Sequence, residues 1–295
     1  MGMLWHGNAL LALAAAALWG GGDFSGGMSV KHAGGTMGAA LRVILLSHAV
    51  SLAILLGAVW WRGDAFPHGA ALAWGLVAGV TAGIALACFY VALSRGAMGA
   101  SAALSGLLAA AIPAAVSVSA EGSPGMMRLV GFLVAGAAIW LIAAGENPEA
   151  KTADRGTVWL AVVGGVGFGV YFVALKFAGS AGVIWPLATA RMGSLAVCSL
   201  LVAGMFLKAK AGGEAFRLTR MAVVWAMGAV LLDTTGNLLF IAATRAGRLD
   251  VAAVLASLYP ASTILLAAWT LHERPTRRQG LGMAVAAAAV VMITI

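Results

Sequence analysis

The chain has 295 residues, of which 62% are hydrophobic and 9% charged, and its formal net charge is +8. Charged residues make up about a quarter of an ordinary soluble domain, so this composition excludes a globular protein that faces water on all sides. The basic residues are scattered between apolar runs, which argues against a nucleic-acid-binding surface. We therefore expect a membrane protein whose main partner is the lipid bilayer.

A helix needs about 20 apolar residues to cross a bilayer core about 30 Å thick. Ten runs of this kind occur, each bounded by charged or turn residues. They span approximately residues 5–29, 36–61, 69–94, 98–120, 126–145, 157–179, 185–207, 221–245, 249–271 and 278–295. The sequence thus predicts an all-α membrane protein with ten transmembrane helices.

The two halves of the chain resemble each other on either side of a polar segment at 146–156. At offsets of 150 to 152 residues, Ser94-Arg95 matches Thr244-Arg245, Glu121 matches Glu273, Pro124 matches Pro275 and Gly131 matches Gly282. We predict a first five-helix repeat at 1–145, a linker at 146–156 and a second repeat at 157–295. Because five is odd, the second repeat begins on the opposite side of the membrane, and inverted repeats of this kind surround a central cavity in transporters.

One segment resembles a known family. The stretch from Glu273 to Gly282 follows a helix that contains Pro260 and precedes a final helix of small residues. It resembles the sequence that joins the last two helices of an EamA repeat. With its ten runs and two halves, the whole chain resembles the drug/metabolite transporter superfamily and is most similar there to the bacterial aromatic amino acid exporters. The first half departs from the pattern, since Arg128 stands where the second half has Gln279.

The resemblance implies a function. A small metabolite, foremost an amino acid with an aromatic or other large side chain, is expected to be exported across the bacterial inner membrane by alternating access of a central cavity. No enzymatic activity is implied. Members of the superfamily usually keep both termini in the cytoplasm, whereas the distribution of Lys and Arg between the loops predicts both termini outside. The orientation stays open.

Four residues are the clear cases of ionisable groups inside the hydrocarbon, where each needs a partner or a function. Asp23 and Arg42 are predicted at the same depth, about 9 Å below one surface, and are expected to pair directly. Arg191 and Asp233 approach the opposite surface with a depth mismatch of about 9 Å, which a long arginine side chain can bridge. The two pairs either hold helices in register or act in gating and recognition of substrate charge.

Trp19 lies deep in the first helix beside Gly20 to Gly22, a glycine run of the kind that more often marks a helix contact than a binding site. Asp23, one turn from Trp19 on the same face, favours a binding site. Aromatic and polar side chains at mid-membrane depth are expected to point at protein or at a wet cavity. The predicted substrate-binding residues are Trp19, Asp23, Phe24, His48, Tyr90, Phe168, Tyr171, Asn237, Ser257 and Tyr259. For the polar members, ordinary interhelical hydrogen bonds are an equal alternative. Pro113 and Pro260 are expected to kink their helices, as hinges or through packing alone.

The sequence contains no Cys/His spacing typical of a metal site and no Walker A motif. We expect no metal and no cofactor, and the sequence is compatible with a monomer.

Gly20-Gly-Gly22-Asp23 fits the G-x-G-D pattern of intramembrane aspartyl proteases, with Asp233 as second acid, but four residues in a glycine-rich helix match easily by chance. A broad drug or metabolite carrier and a channel are further alternatives. Proton antiport and facilitated diffusion both remain open, with Asp23 and Asp233 as the carboxylates available for coupling.

Overall fold

The computed structural model describes residues 2–95, 98–143, 154–208, 218–270 and 276–294. Most of the predicted linker (146–153) and part of the EamA-like motif (Glu273, Arg274 and Pro275) lie outside these ranges. The α-helices are α1 Gly2–His32, α2 Met37–Arg62, α3 Gly69–Ser94, α4 Met98–Glu121, α5 Met126–Ala143, α6 Arg155–Ala178, α7 Ile184–Lys208, α8 Arg220–Ala246, α9 Leu249–Ala256, α10 Tyr259–Thr270 and α11 Arg277–Thr294. A short 3-10 helix, Gly179–Ala181, follows α6.

The helices have the length and composition of membrane spans. In the described part of the chain, eight helical stretches are long and apolar enough to cross a bilayer, and Met126–Ile142 is a shorter apolar helix. Large apolar side chains also cover the outside of the bundle: Leu133 is 75% exposed and Leu231 64% exposed. Such a surface is stable only against lipid. The chain is a multi-pass membrane protein.

Polar caps set where several helices begin. The hydroxyls of Thr36 and Thr219 accept hydrogen bonds of 3.1 Å from the backbone N–H groups of Ala39 and Ala222 at the starts of α2 and α8. Asp154 accepts one of 2.7 Å from Thr157 at the start of α6. Each cap satisfies a backbone donor that the first helical turn leaves unpaired. These polar residues therefore fix the ends of the apolar segments.

The predicted ninth span is broken into α9 and α10. Ser257 and Leu258 form a turn between them, and Pro260 is the second residue of α10. Proline has no N–H to donate to the preceding turn, and its ring crowds that turn, which explains the break. Pro113, by contrast, lies inside α4, which continues from Met98 to Glu121.

Hydrogen bonds between helix ends define two surfaces of the bundle. On the first surface, where α1 begins, Asn8 donates to the carbonyl of Arg248 before α9, and Trp185 of α7 donates to the carbonyl of Asp64 after α2. On the second surface, where α1 ends, Thr219 before α8 donates to the carbonyl of His32. α1 and α9 therefore begin on the first surface, and α8 begins on the second.

Glycines allow the central helices to approach closely. A Cβ added to Gly20 of α1 would lie 2.7 Å from the carbonyl oxygen of Tyr259, and one added to Gly22 would lie 3.3 Å from the backbone nitrogen of Asp233. One added to Gly79 of α3 would overlap the carbonyl of Ala190 in α7. As a result α1 packs against α8, α9 and α10, and α3 packs against α6 and α7. These close contacts bring the polar residues of the spans together at the centre.

Candidate functional site

A cavity of about 450 Å³ lies in the middle of the bundle. Its lining comes from α1, α2, α3, α6, α7, α8 and α10: Trp19, Asp23, His48, Ala82, Leu86, Phe168, Tyr171, Phe172, Arg191, Asp233, Asn237 and Tyr259. Asp233 is the central residue of α8, so the cavity lies at mid-depth of the bundle.

Arg191 is the centre of a polar network on one wall. Its Nη2 forms an ion pair with Oδ2 of Asp233, its Nη1 lies 2.8 Å from Nε2 of His48, and its Nε donates to Oγ of Ser51 at 3.1 Å. Ser51 is in turn 2.7 Å from the hydroxyl of Thr234. The guanidinium thus ties α7 to α2 and α8. Its charge is compensated inside the protein, as burial of an ion in low dielectric requires.

The same network fixes the state of His48. A guanidinium only donates hydrogen bonds, so Nε2 of His48 must accept the one from Arg191. Nδ1 then carries the proton and donates to Oγ of Ser194 at 2.7 Å. His48 is therefore neutral in this arrangement, and it adds no positive charge to the cavity.

A second chain of hydrogen bonds orients Asp233. The hydroxyl of Tyr171 donates to Oδ1 of Asn237 at 2.6 Å, and Nδ2 of Asn237 donates to Oδ1 of Asp233 at 2.9 Å. One carboxylate oxygen of Asp233 thus accepts a hydrogen bond from Asn237, and the other is paired with Arg191. Both oxygens are engaged, which holds this carboxylate in one rotamer.

Aromatic rings form much of the remaining wall. Trp19 stacks on Phe172 with ring centroids 5.1 Å apart and planes at 2°. Phe168 meets Phe89 edge-on at 5.5 Å, and the hydroxyl of Tyr259 donates to the carbonyl of Ala102 at 3.2 Å. Gly236 makes room for the indole, since a Cβ there would lie 2.8 Å from Cδ1 of Trp19. The rings are thus held in place by their neighbours and offer flat apolar faces to the cavity.

Asp23 lines the cavity on the α1 side. Its neighbour along the helix, Gly22, packs directly against the backbone of Asp233. Within the part of the chain that the structure describes, the Asp23 carboxylate has no hydrogen-bond or ion-pair partner. It is therefore the acidic group that remains available to a ligand.

The expected pair between Asp23 and Arg42 is not formed. Because α1 continues to His32, Asp23 lies nine residues from the helix end, about 14 Å deep, whereas Arg42 is only five residues, about 8 Å, into α2. Nε of Arg42 instead donates to the carbonyl of Gly38 at 3.1 Å. The other expected pair, Arg191 with Asp233, is present.

Three of the predicted binding residues lie away from the main cavity. The ring of Phe24 meets Trp225 edge-on at 5.8 Å, because successive residues of a helix point about 100° apart and Asp23 takes the inward position. Ser257 is fully buried at the break between α9 and α10. Tyr90 lines a neighbouring cavity of about 250 Å³, which shares His48, Leu86 and Asp233 with the main one. That smaller cavity also contains Ile44 and Ser47, so it extends the central space toward the second surface.

The sequence analysis also missed several members of the site. Ala82, Leu86 and Phe172 line the cavity, and Ser51 and Ser194 belong to the Arg191 network. Ala, Leu and Phe are ordinary core residues, and nothing in their pattern marks them. Ser51 could have been predicted from the sequence, because it lies one helical turn after His48 and therefore on the same face of the helix.

A set of polar contacts, which we call the closing cluster, joins helix ends at the first surface: Asn8, Glu121, Lys176, Arg248 and Asp250. Glu121 of α4 pairs with Nζ of Lys176 in α6 at 3.4 Å, and Nζ also donates to the carbonyl of Thr244 in α8 at 2.7 Å. Arg248 donates to the carbonyl of Gly122 at 2.7 Å and pairs with the buried Asp250 at 2.7 Å. The cluster joins the ends of α1, α4, α6, α8 and α9 over the central cavity.

Arg248 lies between two spans. Its hydrogen bonds to Asp250 raise the pKa of the guanidinium above its ordinary value. Arg248 therefore stays charged across the whole physiological range of pH, as arginines in proteins do.

Comparison with known proteins gives a consistent result. Residues 155–295 match the model of the EamA-like transporter family. Among solved structures, one titled only "Crystal structure of protein" superposes with a TM-score of 0.70 at 15% identity, covering 97% of this chain and 95% of that chain. No curated protein matches the chain significantly. The family match supports a membrane transporter of small solutes, the structural likeness supports the fold alone, and neither supports an intramembrane protease.

Proposed function

We propose that the protein exports amino acids with aromatic or other large side chains across the bacterial inner membrane, by alternating access of the central cavity. The observation that carries the proposal is the cavity itself. At mid-depth it combines the aromatic faces of Trp19, Phe168 and Tyr259 with the polar groups of Asp23 and Asn237. A site for an amino acid with a large side chain needs both kinds of wall.

The proposal includes two inverted five-helix repeats, α1–α5 and α6–α11, with α9 and α10 counted as one broken span. Three sets of contacts support this pairing. α1 packs on α8 as its counterpart α6 packs on α3; α1 meets α9 and α10 as α6 meets α4; and α5 meets its own counterpart α11. Because each repeat has an odd number of spans, the two cross the membrane in opposite senses.

One contact breaks this symmetry and supports alternating access. α3 packs closely on α7, whereas the counterpart contact between α8 and α2 is less extensive. The smaller cavity lies between α2, α3 and α8, on the looser side. In inverted-repeat transporters the two repeats exchange their contacts when the site turns from one surface to the other. This structure then corresponds to a state closed at the first surface by the closing cluster.

Transport into proteoliposomes tests the function. Labelled tryptophan, phenylalanine and threonine are offered to vesicles with the purified protein and to protein-free vesicles, with and without a pH gradient. We expect tryptophan and phenylalanine to enter faster than threonine, because only they fill the aromatic part of the cavity. Accumulation above equilibrium in the pH gradient indicates proton antiport, and its absence indicates facilitated diffusion.

Two variants locate the transport path. Phe168→Ala removes an aromatic face of the cavity and is expected to raise the KM for tryptophan roughly tenfold, about the value of one aromatic contact. Trp60→Ala is the control, because Trp60 is 86% exposed at the end of α2 and distant from the cavity. Equal uptake with and without protein contradicts the function. Transport without any preference for aromatic amino acids points instead to a broad metabolite or drug carrier.

A further inference from the structure

We propose that the cavity recognises its substrate by the ammonium group, through Asp23, and that a substrate carboxylate is not required. An aromatic amine without a carboxyl group is then a ligand in its own right. The inference rests on the proposed function, since it concerns the substrate class of the same site. It follows from which charges of the cavity are already compensated and which are not.

The positive group of the cavity is occupied. Arg191 is 3% exposed, and three of its nitrogens already have partners in Asp233, His48 and Ser51. A substrate carboxylate that approached this wall would meet a guanidinium already paired and the negative Asp233 beside it. His48 offers no help, because its Nε2 accepts from Arg191 and the ring is neutral. Displacement of Asp233 would leave a buried carboxylate without its partner, which is costly.

The cavity is lined by more carboxyl groups than cationic groups. Of the ionisable side chains that line the cavity, Asp23 and Asp233 are acidic and Arg191 is basic. Since Arg191 is paired with Asp233, the Asp23 carboxyl group is left without a cationic partner among the described residues. A carboxylate in a site of low dielectric attracts a cation strongly and prefers one that can donate hydrogen bonds. An ammonium group has three such donors.

The aromatic walls fit the same class of ligand. Trp19 lies one turn before Asp23 on α1, and Phe168 and Tyr259 line the same cavity. Ring faces attract cations and cover apolar groups at the same time. An amine joined to an aromatic body can therefore place its nitrogen at Asp23 and its ring among these side chains.

Three indole compounds test the contribution of each charged group of the ligand separately. Tryptamine carries the ammonium alone, indole-3-propionate carries the carboxylate alone, and tryptophan carries both. Binding to the purified full-length protein in detergent is measured by isothermal titration calorimetry. We expect tryptamine to bind within tenfold of tryptophan, and indole-3-propionate to show no binding. If indole-3-propionate binds and tryptamine does not, recognition through the ammonium is overturned.

A charge-removing substitution assigns the effect to Asp23. Asp23→Asn keeps the shape of the side chain, and we expect it to weaken tryptamine binding roughly 10- to 100-fold, the effect of losing a hydrogen bond to a charged group. Asp64→Asn is the matched control, because Asp64 pairs with Arg62 at 2.9 Å on the exposed end of α2. Unchanged tryptamine binding in folded Asp23→Asn contradicts the assignment. If Asp23→Asn does not fold, the wild-type comparison of the three ligands still decides the inference.

Transport of the same compounds distinguishes this inference from the proposed function. If tryptophan is transported but tryptamine neither binds nor competes with it, the inference is overturned and the amino acid exporter stays in place. Tryptamine transport without any amino acid transport supports the inference and removes the amino acid as substrate. If no indole compound is bound or transported, both proposals fail.

Discussion

The buried guanidinium of Arg191 holds three helices together through Asp233, His48 and Ser51. Loss of one partner leaves a charge in a medium that solvates it poorly. We expect Asp233→Asn to lower the free energy of unfolding by about 2 kcal/mol, less than the roughly 3 to 5 kcal/mol of a fully buried pair, because the Asp233 side chain is 25% exposed. Thermal unfolding in detergent measures the effect.

A double substitution tells an ion pair from two independent polar residues. Asp233→Asn with Arg191→Gln removes both charges, so we expect part of the lost stability to return. Asp64→Asn, which breaks an exposed pair, should change stability by less than about 1 kcal/mol. Strictly additive losses in the double variant would contradict the coupling of Arg191 and Asp233.

Sequence reasoning reached part of this site. Residues of unusual polarity or size for a membrane span could be found, because hydrocarbon makes each of them conspicuous: Trp19, Asp23, Arg191, Asp233 and Asn237 all line the cavity. Which charged residues pair with each other was harder to predict, because an ion pair requires the two residues to lie at the same depth to within one helical turn. An error of three residues at the end of α1 was enough to suggest the pair of Asp23 with Arg42 that the structure lacks.

Glycines control how closely the helices approach, and the contact of α3 with α7 is the clearest case. A methyl group at Gly79 would overlap the backbone carbonyl of Ala190, which cannot move without displacing α7. We therefore expect Gly79→Ala to destabilise the protein by about 2 kcal/mol, as overpacking does, and to reduce transport. Thermal unfolding and tryptophan uptake are the two measurements.

The control for this substitution is Gly57→Ala in α2, where an added Cβ would meet nothing within 4 Å. Alanine favours a helix by roughly 1 kcal/mol over glycine, so Gly57→Ala should be neutral or stabilising. If both variants behave alike, the close packing of α3 on α7 is not what Gly79 provides.

The helices themselves were largely predictable, because length and apolarity suffice to define a span. The structure forms helices at all ten predicted segments, with α9 and α10 sharing one of them. Kinks were predicted at Pro113 and Pro260, and the structure interrupts the helix just before Pro260, at Ser257 and Leu258. Pro113 and Pro260 look alike in sequence, yet α4 continues through the first and the chain breaks before the second. Proline favours a break at both positions, and packing decides whether the helix continues, which a single sequence does not reveal.

At the scale of the whole molecule, the account requires the central cavity to open to either surface. In the proposed state the closing cluster closes the first surface. Its ion pair of Glu121 with Lys176 is partly exposed, so it contributes about 1 kcal/mol. A difference of that size changes the population of a state roughly fivefold. Removal of this pair should therefore shift the protein toward the state that opens at the first surface.

Accessibility of the cavity from each side tests this most directly. A single cysteine replaces Ala82 of the cavity wall in a Cys88→Ala/Cys198→Ala background, and a membrane-impermeant methanethiosulfonate reagent is applied to right-side-out and inside-out vesicles. Leu231→Cys in the same background is the control, because Leu231 faces lipid and should not react from either side.

We predict that the cysteine at position 82 reacts from both sides, that tryptophan slows the reaction, and that Glu121→Gln with Lys176→Gln accelerates it roughly fivefold from the first surface only. Reaction from one side alone, unaltered by substrate and by loss of the closing cluster, would contradict alternating access of the central cavity.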